Sequence, residues 1–230
     1  RDQPRSRGLG DVYKRQDYYF NEKTIEKAEV RMQKFVLNYF KSSKIDVVCA
    51  SDLMDQLIVS NLMAEEEDIP FLGVYNACAS FASGVISIAN MIQSKGVKRG
   101  VYITSSHNLS AEKQFRFPIE YGAVKPKRST FTATGAVGVS LNNTSGKIKI
   151  ISATLGKVKD SYVKDAFNMG GVMAISAIAT FKEHLKNRCK SEEDYDLILT
   201  GDLGACGSKI FKRVLKLSLI HISEPTRPRL

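Results

Sequence analysis

Residues 71–94 read FLGVYNACASFASGVISIANMIQS, and no charged residue interrupts the chain between Asp68 and Lys95. Phe71–Tyr75 reads as a short buried strand and Asn76-Ala77 as a turn. From Cys78 onward the spacing is helical, and Val85, Ile86, Ile88, Ala89, Met91 and Ile92 leave no fully polar face. A helix that is apolar nearly all round is expected inside a protein. Small residues fill its first two turns, from Cys78 to Gly84, and allow close backbone approach. The stretch therefore predicts a buried cysteine where a strand ends and an internal helix begins. Helix amides and the positive end of the helix dipole favour an anion there, a thiolate included. The same position also suits an inert cysteine, packed as a small hydrophobe. Asn76, Ser80, Ser83, Ser87, Asn90 and Gln93 argue against a membrane span.

Bulk composition fits an ordinary globular protein of one large or two small domains: 230 residues, 43% hydrophobic and 25% charged. Cys49, Cys78, Cys189 and Cys206 are far apart and follow no metal-ligand pattern, so a reduced, intracellular setting is expected. Three histidines without ligand spacing give no metal site, and no cofactor motif occurs. The net charge of +10 is partly a property of the ends. Residues 1–16 carry five basic and two acidic side chains, and residues 217–230 carry two basic and one acidic. Neither end continues the periodicity beside it, and both read as non-native tails. The remaining basic residues are interspersed with acids and form no stripe with aromatics, so no nucleic-acid partner is expected. Neither a signal peptide nor a transmembrane segment is read.

Outward from the central stretch, strands alternate with helices. Asn21–Phe40 is helical, with Ile25, Ala28, Met32, Phe35, Val36 and Tyr39 on one stripe. Lys44–Ala50 is a strand, Leu53–Ala64 a short helix, and Gly100–Thr104 a strand ending in Ser105-Ser-His-Asn108. Ser110–Phe115 is a helical turn, and Thr132–Leu141 and Lys147–Leu155 are further strands. Met173–Asn187 is helical, Asp196–Thr200 a strand, and Ser208–Leu215 begins a helix. This order implies βα units and largely parallel sheets.

The chain also repeats itself. Asp46-Val-Val-Cys-Ala-Ser-Asp-Leu53 aligns with Asp196-Leu-Ile-Leu-Thr-Gly-Asp-Leu203 at an offset of 150. At that offset the preceding helices pair Ile25 with Ile175, Ala28 with Ile178 and Phe35 with Leu185. A period this long means two copies of a domain-sized unit. The expected organisation is a first half over residues 17–150, the start of a second half over 151–216, and tails outside them. The second copy stops just after its Asp-Leu, so the unit is expected to be incomplete at both ends.

These residues resemble the thiolase-like superfamily, whose α/β fold packs two βα repeats in αβαβα layers around a helix that begins with a cysteine. More narrowly, the chain is similar to the stage V sporulation protein AD family of spore-forming Firmicutes. That likeness rests on Asn76-Ala-Cys-Ala-Ser80, Thr104-Ser-Ser-His-Asn108, residues 111–118 with Glu120-Tyr-Gly122, Ala153-Thr-Leu-Gly-Lys-Val158, Phe167-Asn-Met-Gly170 and residues 194–203. It implies binding of dipicolinic acid (pyridine-2,6-dicarboxylate), free or as its calcium chelate, and its passage into the developing spore. It further implies a place beside the spore inner membrane, stage V membrane proteins as partners, and leaves a homodimer open. Cys78 matches the thiolase nucleophile. A thiolase-like or ketoacyl-synthase-like acyltransferase using Cys78, and a non-catalytic scaffold, are the competing readings.

A cysteine nucleophile needs a base and oxyanion donors. His107, at a strand end, is the candidate base or ligand contact, and the other reading is a loop histidine bonded to backbone. A dicarboxylate needs charge-assisted donors at both ends and an apolar slot for its ring. Cys78, Ser105, Ser106, His107 and Arg116 are the candidate ligand contacts, Arg116 lying between Phe115 and Phe117. A surface pair of Arg116 with Glu112 or Glu120 is the alternative. Lys125, Lys127 and Arg128 read as solvated. Asp52 and Asp202, at equivalent strand ends, read as helix caps.

Overall fold

The computed structural model describes residues 18–115, 132–144, 146, 148–165, 167–215 and 221–223. They fall into two compact units that part near residue 150.

In the first unit, Thr24 opens helix α1 (Ile25–Asn38) by accepting the Lys27 N–H at its Oγ1. Strand β1 (Val47–Ser51), helix α2 (Ile58–Glu65), strand β2 (Phe71–Gly73), helix α3 (Ser80–Gln93) and strand β3 (Arg99–Ser106) follow. Helix α4 (Asn108–Phe115) and strand β4 (Gly135–Asn142) complete the unit. The sheet order is β2-β1-β3-β4, with β2, β1 and β3 parallel and β4 antiparallel to β3. The carboxyl ends of β1, β2 and β3 therefore share one edge. Open α/β sheets bind ligands at that edge, where the strand order reverses.

Strand alternation sends each sheet residue to one of two cores. Val48, Ala50, Val101 and Ile103 pack against Val30 and Leu37 of α1 and Val59 and Met63 of α2. Cys49 and Tyr102 face the other way and pack on Ile88 and Ile92 of α3. Burial of each such aliphatic contributes about 1.5–3 kcal/mol. Gly84 lets α3 settle on the Tyr102 ring, where an added Cβ would lie 2.0 Å from a ring carbon. Arg99 ties the other end of the sheet to the end of α1, donating to the carbonyls of Phe40 and Ser43 and to Ser140 Oγ.

The structure corrects the reading of the central stretch in four ways. The strand is only Phe71–Gly73, half-buried at the sheet edge, because β1 is its single partner among the described residues. The α-helix starts at Ser80, after a 3₁₀ turn over Ala77–Ala79 entered through Ala77 at φ 43°. Cys78 in that turn is exposed, not buried. Of α3, only Ser80, Gly84, Ile88 and Ile92 are fully buried, one residue per turn, and Phe81 is 42% exposed. Elsewhere, the helix expected from Leu53 begins at Ile58, after Gln56 and Leu57 take positive φ.

In the second unit, Asn168 Oδ1 accepts the Gly171 N–H and opens α5 (Met169–Arg188). Strand β5 (Leu197–Leu199), helix α6 (Gly204–Leu215) and strand β6 (His221–Ser223) follow, β6 parallel to β5. Ala174, Ile178, Ile198, Leu203, Phe211 and Leu215 form its core. The strand expected over 147–155 is absent among the described residues there. A strand needs a neighbour to take its amides and carbonyls; Ile148, Ile151 and Leu155 stand 77–83% exposed, and Thr154 bonds to His184 instead. The two aligned aspartates make the same local bond. Asp52 Oδ1 accepts the N–H of Met54, and Asp202 Oδ1 accepts that of Gly204, both at 2.9 Å and two residues on.

Candidate functional site

The carboxyl edge of the first sheet has two sides, and alternation along β3 divides the candidate residues between them. Ser105 points to the α1 side. Its Oγ donates to Glu29 Oε1 at 2.7 Å and lies 2.8 Å from the Gln33 amide nitrogen. Gln33 Nε2 is also within reach of the Ser51 carbonyl and Ser60 Oγ, both at 3.1 Å. Asp52 closes this cluster by accepting from Ser60 N and Oγ as well as Met54 N. Its expected capping role is thus met across the turn, since Ser60 lies in the first turn of α2. Glu29, Gln33, Asp52, Ser60 and Ser105 are all buried. Burial pushes the Asp52 carboxyl up and lifts Glu29 to about 7.

His107 follows at the end of β3 and is fully buried. Its Nδ1 accepts the Leu109 N–H at 3.3 Å, so Nε2 carries the proton and donates to the Tyr18 carbonyl at 3.1 Å. Tyr18 also stacks edge-on to the imidazole. Burial holds its pKa below the usual histidine range. Of the two readings of His107, the backbone-bonded one is what the structure contains: the ring caps α4 and pins residue 18.

The α3 side is different. Tyr102 Oη, Ser51 Oγ and Thr104 Oγ1 form a hydroxyl chain, Ser51 donating to Thr104 at 2.9 Å and therefore receiving from Tyr102 at 2.5 Å. Ser106 lies on this side by alternation and donates to the Ala133 carbonyl at 2.6 Å. Beyond the end of β2, Asn76 folds over the start of α3. Its N–H goes to Ser80 Oγ at 2.8 Å and its Nδ2 to Ser83 Oγ at 2.9 Å. Cys78 is thereby presented in an open turn between exposed Tyr75 and Phe81. Cys78 and Ser106 thus belong to the α3 side, whereas Ser105 is built into the opposite core and His107 into the α4 corner. Arg116, with Lys125, Lys127 and Arg128, lies outside the described residues.

Sequence reasoning overlooked Glu29 and Gln33. The available signal was two polar residues four apart on a helix, a spacing that places them on one face. In the second unit, His184 lines a cavity of about 290 Å³, bonded to Thr154 Oγ1 at 2.8 Å and to Tyr195 Oη at 2.9 Å.

A strand-end cysteine at the head of a small-residue helix, on a parallel sheet with an antiparallel edge, can be compared with known proteins. A family model described as Stage V sporulation protein AD matches residues 10–226. The chain belongs to this family. Stage V sporulation protein AD of Bacillus subtilis (strain 168) is 39% identical over 216 residues, which cover 90% of this chain and 64% of that protein. The chain thus spans a little under two thirds of the length of that relative. Among solved structures, a 3-oxoacyl-(acyl-carrier-protein) synthase III superposes with a TM-score of 0.58 at 13% identity, covering 82% of this chain and 68% of that one. Cerulenin-bound OleA of Xanthomonas campestris gives 0.64 at 12%, covering 85% and 66%. At these identities the likeness concerns the fold, which is the thiolase-like α/β architecture that the sequence suggested. Among the described residues no helix is long and apolar enough to cross a membrane.

Proposed function

We propose that this chain is part of a sporulation protein that binds dipicolinic acid and aids its uptake into the developing spore, beside the spore inner membrane and with stage V membrane proteins as partners. The observation that carries this reading is the 39% identity to a stage V sporulation protein AD across 90% of the chain. The geometry supports it at the head of α3. The turn over Ala77–Ala79 is open, the helix dipole there favours a carboxylate, and Tyr75 and Phe81 border it with aromatic surface for a flat ring. Arg116 is our assignment for the second carboxylate, through a bidentate guanidinium.

The reading as an acyltransferase using Cys78 draws on the condensing-enzyme neighbours and on the exposure of the thiol. It lacks a base among the described residues of this unit, because His107 has both ring nitrogens engaged. The binding reading rests on the family likeness.

Calorimetry with pyridine-2,6-dicarboxylate on the full-length protein tests the proposal. Arg116→Ala is expected to cost about 2–5 kcal/mol, by analogy with truncated buried charge pairs, which is about 30-fold or more in affinity. Arg116→Lys should recover only part, and Lys127→Ala, which the sequence reads as solvated, should change little. Equal and small effects of both alanine variants would move the second carboxylate elsewhere. No binding by the wild type would remove the ligand altogether.

A further inference from the structure

We propose that the cavity between α5, β5 and the chain at residues 152–154 is a second binding site, taking a small uncharged molecule with an apolar body and a carbonyl acceptor. Two stretches singled out in the sequence and left unused by the α3 side, residues 153–158 and 194–203, contribute to its walls. The cavity has a volume of about 290 Å³ and lies wholly within the second unit. Gly156 lets the first stretch lie close against α5, since an added Cβ would come 2.5 Å from Thr180 Oγ1. Phe181, Ile198 and Phe211 give the cavity an apolar wall.

Two hydroxyls of the lining keep hydrogen-bonding capacity for a ligand. Thr200 Oγ1 is buried and has no partner in the protein. A buried polar atom left in that state costs stability, and its partner is to be sought in the space it borders. Thr154 is the other. Its Oγ1 lies 2.8 Å from His184 Nδ1, and Tyr195 Oη lies 2.9 Å from Nε2 of the same ring. A neutral imidazole donates through one nitrogen and accepts through the other. A phenol is a better donor than an aliphatic alcohol, so Tyr195 donates to Nε2 and Nδ1–H donates to Thr154. Thr154 then keeps its own proton for another acceptor. A doubly protonated ring would donate to both hydroxyls and leave the Thr154 proton equally free.

The lining selects against charge. Among the described residues that form it there is no lysine, arginine, aspartate or glutamate. A carboxylate would give up its hydration here without a permanent cation to replace it. A carbonyl oxygen asks only for hydroxyl donors, and the rings of Phe181 and Phe211, 6.2 Å apart, offer surface to the rest of the molecule. The internal repeat sharpens the contrast. At the offset of 150, Thr200 takes the place of Ala50. Ala50 is fully buried and packs among the side chains of α1 and α2. The second copy sets a hydroxyl beside a space where the first packs a methyl group, and such local departures from good packing belong to functional sites. This site does not depend on the dipicolinate reading of the α3 side.

The test uses the full-length protein, with benzamide as the neutral probe and benzoate as the anion of the same shape. Saturation-transfer NMR should show saturable benzamide binding, with benzoate weaker by about 10-fold or more. Thr200→Val keeps the shape of the side chain and removes the hydroxyl. Its urea midpoint should equal or exceed that of wild type, because the hydroxyl has no partner in the unliganded protein. Its benzamide affinity should nevertheless fall roughly 3- to 10-fold. Ala177→Leu, which fills the cavity from α5, should remove benzamide binding. Saturating dipicolinate should not displace benzamide. Absence of saturable benzamide binding, equal binding of benzoate, displacement by dipicolinate, or binding that survives in a folded Ala177→Leu variant would each overturn the proposal. A Thr200→Val variant that melts below wild type, or that binds benzamide as wild type does, would overturn it as well.

Discussion

The two sides of one sheet edge solve different problems. Toward α1, the edge is sealed: Glu29, Gln33, Asp52, Ser60 and Ser105 are buried and linked through hydrogen bonds, with the Ser51 carbonyl as a further acceptor and Gln33 Oε1 alone in the cluster without a donor. Toward α3, only one residue per helical turn is fully buried, and Tyr75, Cys78 and Phe81 reach the surface. A buried polar cluster adds rigidity only when its groups are paired, whereas a binding surface must leave groups unpaired until the ligand arrives. The sealed side can therefore act as the rigid floor, and the open side is where a small molecule can enter.

The largest expected effect lies within the open side, where α3 rests on the sheet. Gly84→Ala puts a methyl group 2.0 Å from the Tyr102 ring. Either α3 lifts or the ring moves, and Tyr102 is fully buried with its hydroxyl tied to Ser51. Overpacking of this kind costs about 1–3 kcal/mol or more. In a double-mutant cycle, Tyr102→Ala should remove most of the additional penalty. Additive losses in urea melts would mean that α3 does not rest on that ring.

How much of this was legible beforehand follows the same division. The strands β1, β3 and β4 were readable because β-branched runs alternate and end in turn residues. The small-residue head of α3 was readable because helical spacing and glycine leave a signal in the sequence. Burial was not. The apolar run after Asp68 looked internal, yet hydropathy cannot say which face finds a partner, and Phe81 is exposed while Ser80 is buried. On α1 the expected stripe included Phe35 and Tyr39, but the structure buries Glu29, Gln33 and Leu37 and leaves Tyr39 58% exposed. Polar side chains can enter a core when hydroxyls from distant strands meet them there. Ser105 and Ser110 lie more than 75 residues away from Glu29, beyond the reach of any local pattern. Ser105, Ser106 and His107, neighbours in sequence, were grouped as one site, whereas strand alternation sends Ser105 and Ser106 to opposite sides.

A smaller effect separates those two serines. Ser105→Ala leaves Gln33 and Glu29 without their shared hydroxyl in a buried place, so a loss of about 1–3 kcal/mol is expected. Ser106 makes one bond at a partly exposed position, and Ser106→Ala should stay within about 0.5–1.5 kcal/mol, the net worth of an ordinary hydrogen bond. If the sealed side is structural, Ser105→Ala alters melting without altering the affinity of the folded protein for dipicolinate. A selective loss of affinity in Ser105→Ala would show that the division between the sides is wrong.

The smallest stability effect should come from the residue that first drew attention. Cys78 is exposed and lies ahead of the first turn of α3, so Cys78→Ser should change stability by no more than about 0.5 kcal/mol. Its chemistry offers the sharper contrast. Cys49 is fully buried beneath α3, and burial pushes its thiol up to about 11. Thiolates, not thiols, react with iodoacetamide. In the native full-length protein at neutral pH, Cys78 should therefore label readily and Cys49 only after unfolding, a difference that peptide mass mapping resolves. If dipicolinate binds at the head of α3 as proposed, it should shield Cys78 and leave Cys189 and Cys206, also exposed, at their own rates. Labelling of Cys78 that is slow without ligand would mean that the open side is covered in the full-length protein. Labelling that is fast but indifferent to dipicolinate would place the acid away from this turn, and would weaken the reading of the α3 side as the ligand-facing one.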